Sequence, residues 1–120
     1  MVLLTTLYSF NAQEACAIAM VGADIIISHM GLTTASALGA KTAVSPEDSV
    51  RHVQVITDVA SEVNPDIIVL CHGGPISGPK EAEYVLQRTW VYGTLSMECL
   101  PIEEAIAGTM QQYKAIQIAG

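Results

Sequence analysis

Two short aliphatic segments constrain the fold of this chain most strongly. Each begins at an aspartate and ends at a histidine that glycine soon follows: Asp24-Ile-Ile-Ile-Ser-His29-Met-Gly31 and Asp66-Ile-Ile-Val-Leu-Cys-His72-Gly73. Apolar runs of this length are typical of strands buried on both faces, as in parallel sheets covered by helices. The spacing from aspartate to histidine differs by one residue between the segments, so the repeat leaves open whether the two histidines share a face of the sheet.

Helix signals separate these predicted strands. Asn11 with Glu14 three positions later fits a capping box, and Ser45-Pro46 followed by acidic residues fits a helix start. Two further helices are predicted to open at Pro79 and Pro101. The strands are predicted at residues 2–8, 23–30, 66–71 and 91–97. The predicted order is therefore β-α-β-α-β-α-β-α, an α/β fold with a parallel sheet.

Four strand-helix units make either an open sheet or half of a barrel. We therefore expect residues 1–120 to form a single, partial domain, since a complete (β/α)8 barrel has about 250 residues. An open sheet of four buried strands leaves two unpaired edges. The chain is thus expected to need a partner, either a second copy in a homo-oligomer or a missing half-barrel.

Composition disfavours several classes of ligand. The formal net charge is −7 and Lys and Arg together number only five, so no basic stripe is expected for nucleic acid or for an anionic membrane. No apolar run approaches the roughly 18 residues of a membrane span. The three cysteines lack CxxC spacing, which favours a reducing cytoplasm. Neither a GxGxxG nor a Walker motif is present, so no nucleotide cofactor is predicted and the cofactor stays unknown.

Candidate site residues lie where the predicted strands end, because ligands of parallel α/β folds bind beyond the carboxyl ends of the strands. These exits are predicted at Thr5-Thr6, His29-Met30-Gly31, His72-Gly73-Gly74 and Ser96-Met97-Glu98. His29 and His72 are candidate general acids or bases. Glu98 is a candidate base, or else a solvated residue ahead of Pro101.

Backbone and hydroxyl groups at the same exits are candidates for binding an anion. The loop that starts at Gly31 is rich in hydroxyls and N–H groups that could hold a carboxylate or phosphate, although a plain surface loop would read the same way. The predicted substrate-binding residues are Thr5, Gly31, Thr33, Thr34, Gly73, Gly74 and Ser96. No metal is assigned, because a set of His29, His72 and Glu98 would need a convergence that the sequence does not show. A Ser-His-Asp hydrolase is disfavoured because there is no GxSxG motif.

Longer strings in the sequence resemble a known family. They are LLTT at 3–6, GADIIISHMGLTT at 22–34, NPDIIVLCHGGPIS at 64–77 and SMECLPIEEAI at 96–106. Together they resemble the phosphoenolpyruvate hydrolase-like family of TIM-barrel proteins, and also the C-terminal barrel of plant proteins that confer resistance to tomato mosaic virus. The resemblance implies that this chain supplies the last four units of a (β/α)8 barrel. The chain departs from the family pattern at residues 90–99, where the family has a longer segment.

The resemblance implies a small anionic substrate of the phospho- or oxo-acid type and hydrolase or lyase chemistry. The resemblance then implies that His29 and His72 transfer protons, that the backbone N–H groups of the glycine loops bind the anion, and that Glu98 assists. Two alternatives stay open at this point. One is a protein-binding or regulatory module without turnover, which the antiviral relatives motivate, and the other is an inactive truncated barrel.

Overall fold

The structure, a computed structural model, describes residues 2–31, 44–76, 78–95 and 99–115. Its strands and helices alternate along these ranges, which confirms the predicted order. They are β1 (Thr6–Ser9), α1 (Ala12–Met20), β2 (Ile25–His29), α2 (Pro46–Val63), β3 (Ile68–His72), α3 (Pro79–Leu86), β4 (Gly93–Thr94) and α4 (Cys99–Lys114). The four strands form one parallel sheet in the order β1-β2-β3-β4. The α/β class and the partial (βα)4 barrel segment are thus confirmed.

Capping side chains fix where the first two helices begin. The Asn11 side chain accepts a hydrogen bond from the Glu14 backbone N–H at 2.9 Å, and the Glu14 carboxylate accepts one from the Phe10 N–H at 2.8 Å. Ser45 accepts from the Asp48 N–H at 3.0 Å ahead of Pro46, whose missing N–H costs nothing at a helix start. Both helix starts follow the sequence prediction.

Helices α1, α2 and α3 all cover one face of the sheet. Ile26 and Val69 pack there against α1 and α2, and Cys71 packs against Val53 of α2 and Val85 of α3. Because side chains alternate along a strand, the neighbouring residues in β2 and β3 point to the opposite face. No described helix packs along that opposite face, where Tyr8 is 50% and Ile68 37% exposed, although Ile27 beside Tyr8 is 3% exposed.

The register of β2 and β3 resolves the question about the two histidines. Ile25 pairs with Ile68, and His29 pairs with His72 at the carboxyl end of both strands. β2 starts one residue after Asp24, whereas β3 starts two residues after Asp66. This offset compensates for the one-residue difference in the spacing from aspartate to histidine. The two histidines therefore point to the same, uncovered face.

The sheet and the last helix differ from the prediction in extent. β1 runs from Thr6 to Ser9 instead of 2–8, because the capping box at Asn11 lets the strand continue until just before it. β4 has two residues, and 96–97 of its predicted range lie outside the described residues. α4 begins at Cys99, ahead of Pro101. None of the described helices has both the length and the hydropathy of a membrane span.

Candidate functional site

His29 and His72 form a side-by-side pair at the carboxyl edge of the sheet. Their ring centroids lie 5.0 Å apart and the ring planes cross at 70°. Both residues are half-buried and so keep some contact with solvent. The parallel register brings them together, since it aligns the last residue of β2 with the last residue of β3.

The hydrogen bonding of His29 defines its tautomer. The backbone N–H of Gly31 donates to His29 Nδ1 at 2.9 Å. A ring nitrogen that accepts a hydrogen bond carries no proton, so neutral His29 holds its proton on Nε2. His29 therefore presents an N–H donor at Nε2.

His72 has the opposite arrangement. Its Nδ1 lies 3.3 Å from the carbonyl oxygen of Leu95. A carbonyl oxygen only accepts, so this contact favours a proton on Nδ1, and the neutral ring then has its lone pair on Nε2. The pair thus presents an acceptor that can take a proton and a donor that can stabilise a developing negative charge by a hydrogen bond.

Electrostatics keep His29 neutral near pH 7. Burial of the ring lowers the pKa of His29 below its usual 6.5, and the neighbouring His72 lowers this pKa further because two imidazolium ions would repel each other. A lowered pKa favours the neutral form in which Nδ1 accepts from Gly31. The backbone contact and the pKa shift therefore favour the same tautomer.

Tyr8 and Phe10 complete the walls around the histidines. The Tyr8 ring lies 5.1 Å from His29 and 5.8 Å from His72, and the Phe10 ring lies 5.0 Å from His29. Sequence reasoning missed both residues because it placed the exit of β1 at Thr5-Thr6. The capping box at Asn11 was the signal that would have moved this exit to Tyr8–Phe10.

Thr5 is not part of this edge, and its predicted position at a strand exit is wrong. Thr5 precedes β1 at the amino-terminal edge of the sheet, beside Asp24. Its N–H and hydroxyl both donate to Asp24 Oδ2, at 2.8 and 2.7 Å, and its hydroxyl accepts from the Asp24 N–H at 3.0 Å. These bonds tie the starts of β1 and β2 together and lower the pKa of the Asp24 carboxyl.

The glycines at the exits hold the two loops against each other. Gly31 accepts a 2.8 Å bond from the Gly74 N–H, and Met30 donates a 2.8 Å bond to the His72 carbonyl. Gly73 has a φ of +127°, and a Cβ there would lie 2.6 Å from the Met30 nitrogen. The N–H groups of Gly31 and Gly74 are thus engaged within the protein, so these glycines shape the exit and fix His29 instead of presenting those two groups to an anion.

The remaining predicted site residues lie outside the described residues. They are Thr33, Thr34, Ser96 and Glu98. Their predicted roles stay predictions. Within the described ranges, no group of three or more His, Cys, Asp or Glu side chains converges as a metal site would require. Cys71, next to His72 in sequence, faces the covered side of the sheet, where burial raises the pKa of its thiol and disfavours the reactive thiolate.

A cavity of about 340 Å³ adjoins His29 on the side of α2. The described residues that line it are Phe10, His29, Met30, Gly31, Val44, Asp48 and His52. His52 Nε2 is buried and forms no hydrogen bond with a described residue. Sequence reasoning did not single out His52, because a lone histidine within an amphipathic helix gives no signal of its own.

Comparison with known proteins decides the family. The sequence profile of the phosphoenolpyruvate hydrolase-like family matches residues 1–116. The chain belongs to that family. Two tomato (Solanum lycopersicum) proteins are similar to it: the ToMV susceptible protein tm-1(GCR26), 60% identical over 120 residues, and the ToMV resistance protein Tm-1(GCR237), 59% identical over 120 residues. Each alignment covers 97% of this chain but 16% of the relative, so the chain matches only a small part of these relatives' length.

Proposed function

We propose that this member of the phosphoenolpyruvate hydrolase-like family binds a small phospho- or oxo-acid at the carboxyl edge of the sheet and acts on it with His72 as the proton-transferring group and His29 as the hydrogen-bond donor to the leaving oxygen. The observation that carries the proposal is the pair of backbone contacts, from the Gly31 N–H to His29 Nδ1 and from His72 Nδ1 to the Leu95 carbonyl oxygen, which favour opposite tautomers in the two neighbouring rings. One ring offers an N–H donor and the other a lone pair, about 5.0 Å apart between centroids.

For hydrolysis of phosphoenolpyruvate the roles follow from this arrangement. His72 Nε2 accepts a proton from the attacking water as its oxygen bonds to phosphorus. The bond between phosphorus and the enol oxygen breaks while His29 Nε2–H donates a hydrogen bond to that oxygen, and the protonated His72 then returns its proton to it, because a neutral His29 that lost its proton would become an imidazolate. The released enol then tautomerises to pyruvate, leaving phosphate. A lyase reaction would use the same pair to remove and return a proton at carbon.

The test combines binding and turnover. Phosphoenolpyruvate is titrated by calorimetry, and phosphate release is followed, for the natural chain and for His29→Gln and His72→Gln. General acid–base catalysis contributes about 10²–10⁴-fold, so each variant should lose turnover by that order with its unfolding transition intact. Thr5→Val at the opposite edge of the sheet is the control and should keep turnover. Equal turnover in all four proteins would refute the assignment.

A second candidate function is a non-catalytic protein-binding module, and α4 provides the observation that favours it. Its apolar residues are more than half exposed: Ile102 54%, Ile106 59%, Met110 52% and Tyr113 68%. Among the described elements none packs along this stripe. The names of the two tomato relatives do not favour an antiviral role for the shared segment, because the chain matches the susceptible and the resistance protein almost equally.

The uncovered face of the sheet and α4 also bear on the predicted partner. Either a second copy of this chain or a further half-barrel would bury both surfaces, and an inactive truncated barrel would leave them exposed. Light scattering on the chain separates these cases by mass. Replacing Ile106 and Met110 with glutamate should abolish a partner complex through α4, whereas His29→Gln should not.

A further inference from the structure

We propose that His29 and the Gly31 backbone form a pH-sensitive latch, which holds the exit of β2 in place while the His29 ring is neutral and releases it when the ring is protonated. The latch is the 2.9 Å hydrogen bond from the Gly31 N–H to His29 Nδ1. This bond uses the lone pair that an added proton would occupy. The inference goes beyond the proposed function, because it concerns how the site is assembled and needs no substrate.

Protonation changes His29 Nδ1 from an acceptor into a donor. An imidazolium ring carries an N–H on both nitrogens, so Nδ1–H and the Gly31 N–H would face each other as two donors. Rotation of the charged ring restores no acceptor, because imidazolium has none. The Gly31 N–H therefore loses His29 as its partner when the ring takes up a proton.

His72 responds differently to the same proton. Its Nδ1 lies 3.3 Å from the Leu95 carbonyl oxygen, which only accepts. The added proton of this ring enters at Nε2 and leaves the contact at Nδ1 in place. Acid should therefore break the backbone contact of His29 and preserve that of His72, although the two ring centroids are only 5.0 Å apart.

Gly31 connects the exits of β2 and β3, so the latch affects both. Its carbonyl oxygen accepts a 2.8 Å hydrogen bond from the Gly74 N–H. Its φ is +84° and no atom of the described residues lies within 4 Å of a Cβ built there, whereas a Cβ on Gly73 would lie 2.6 Å from the Met30 nitrogen. Glycine adopts many backbone conformations. Once its N–H is released, Gly31 is the residue free to move, and its bond to Gly74 should weaken.

The groups around His29 set the pH at which the latch opens. Burial lowers the pKa of His29 below 6.5, and the neighbouring His72 lowers it further. Asp48 carries the charge that would favour a proton on His29, but its carboxylate is already paired with Arg51 at 3.2 Å. The latch should therefore stay closed at neutral pH and open in mild acid. The described titratable side chains that contact His29 or line the cavity beside it are Tyr8, His72, Asp48 and His52.

The test observes the latch by NMR of the natural chain labelled with 15N. An N–H···N hydrogen bond transmits a coupling between its two nitrogens, so a coupling between the Gly31 nitrogen and His29 Nδ1 reports the bond itself. It should be present well above the pKa of His29 and disappear as the ring titrates. Over the same range, the hydrogen-exchange protection of the Gly31 amide should fall by about three- to tenfold, while the amides within β2 and β3 stay protected.

Two variants separate the latch from a general effect of acid. In His29→Asn the side-chain oxygen can take the position of Nδ1 and accepts a hydrogen bond whether the solution is neutral or mildly acidic. The Gly31 amide of this variant should keep its chemical shift and its protection across the titration. His72→Asn is the matched control, because it keeps His29 and removes the repelling ring, so its latch should still open but at a higher pH.

Three results would overturn the inference. They are the absence of the coupling above the pKa of His29, a Gly31 amide that does not respond when His29 titrates, and a pH response that survives His29→Asn. Release of Gly31 only together with the amides of β2 and β3 would also overturn it, since that is unfolding of the whole sheet. None of these results involves phosphoenolpyruvate, so they are distinguishable from a failure of the proposed function.

Discussion

The two edges of the sheet each carry a polar cluster, but the clusters differ in how their hydrogen bonds are used. At the amino edge, the Thr5 hydroxyl donates to Asp24 and accepts from it, so the two residues satisfy each other. At the carboxyl edge, each histidine uses one ring nitrogen on backbone, and neither Nε2 is bonded to a described residue. A cluster that closes on itself holds strands together, whereas one that leaves a donor and an acceptor open can bind a ligand.

The largest effect on stability is expected where the backbone shapes the carboxyl edge. Gly73→Ala should cost about 2–5 kcal/mol, since it adds a Cβ 2.6 Å from the Met30 nitrogen at a φ of +127°. Gly31→Ala is the matched control, because its φ is +84° but no atom of the described residues lies within 4 Å of the added Cβ, so only the backbone strain of about 1–2 kcal/mol is expected. Urea unfolding measures both. Equal losses would show that packing against β2 does not fix this exit.

A smaller loss is expected at the amino edge. Thr5→Val removes the hydroxyl that bridges β1 and β2, so the chain should unfold at lower temperature while ligand binding stays unchanged. Thr5→Ser keeps the hydroxyl and should restore most of the stability. If Thr5→Val abolished phosphoenolpyruvate binding but left the unfolding temperature unchanged, the amino edge would not be purely structural. The contrast between the two edges would then be wrong.

The pH dependence of stability should separate the edges further. The pKa of His29 is lowered in the fold, so the unfolded chain binds more protons and stability should fall as pH drops through 6.5 and the lower folded pKa. The Asp24 pKa is lowered from 3.8, so its contribution is present above that value and is lost at more acidic pH. The His29→Asn variant should lose the decrease in stability that begins near pH 6.5 and keep the decrease below pH 3.8 that comes from Asp24. Chemical denaturation across this pH range is the measurement, and a first step that survives in His29→Asn would contradict the assignment.

The sequence contained enough to predict the strand-helix order and the histidines at two strand ends. The aliphatic runs and the caps at Asn11 and Ser45 are local signals, and local signals set element order. Register is a property of two strands together, so the contact between His29 and His72 could not be read from either segment alone. The tautomers depend on the positions of the loop backbone at Gly31 and Leu95, and sequence patterns do not predict these positions.

Thr5 shows the opposite case, because an error in placing the end of one strand assigned the wrong residue to the site. The first strand was predicted over 2–8, but its exit was placed at Thr5-Thr6, which turned a residue of the amino edge into a supposed exit. Had the capping box been used to place the end of β1, Tyr8 and Phe10 would have been predicted in place of Thr5. His52 could not have been found, because the cavity that it lines is formed by segments far apart in the sequence.

The measurement that tests the central claim most directly is long-range 1H–15N NMR of the histidine side chains well above pH 6.5. An unprotonated ring nitrogen resonates far downfield of a protonated one, so each tautomer is observed without reference to turnover. The account predicts a proton on Nε2 of His29 and on Nδ1 of His72, with assignments made by His29→Gln and His72→Gln. The same tautomer for both rings, or rapid exchange between tautomers in either, would contradict it.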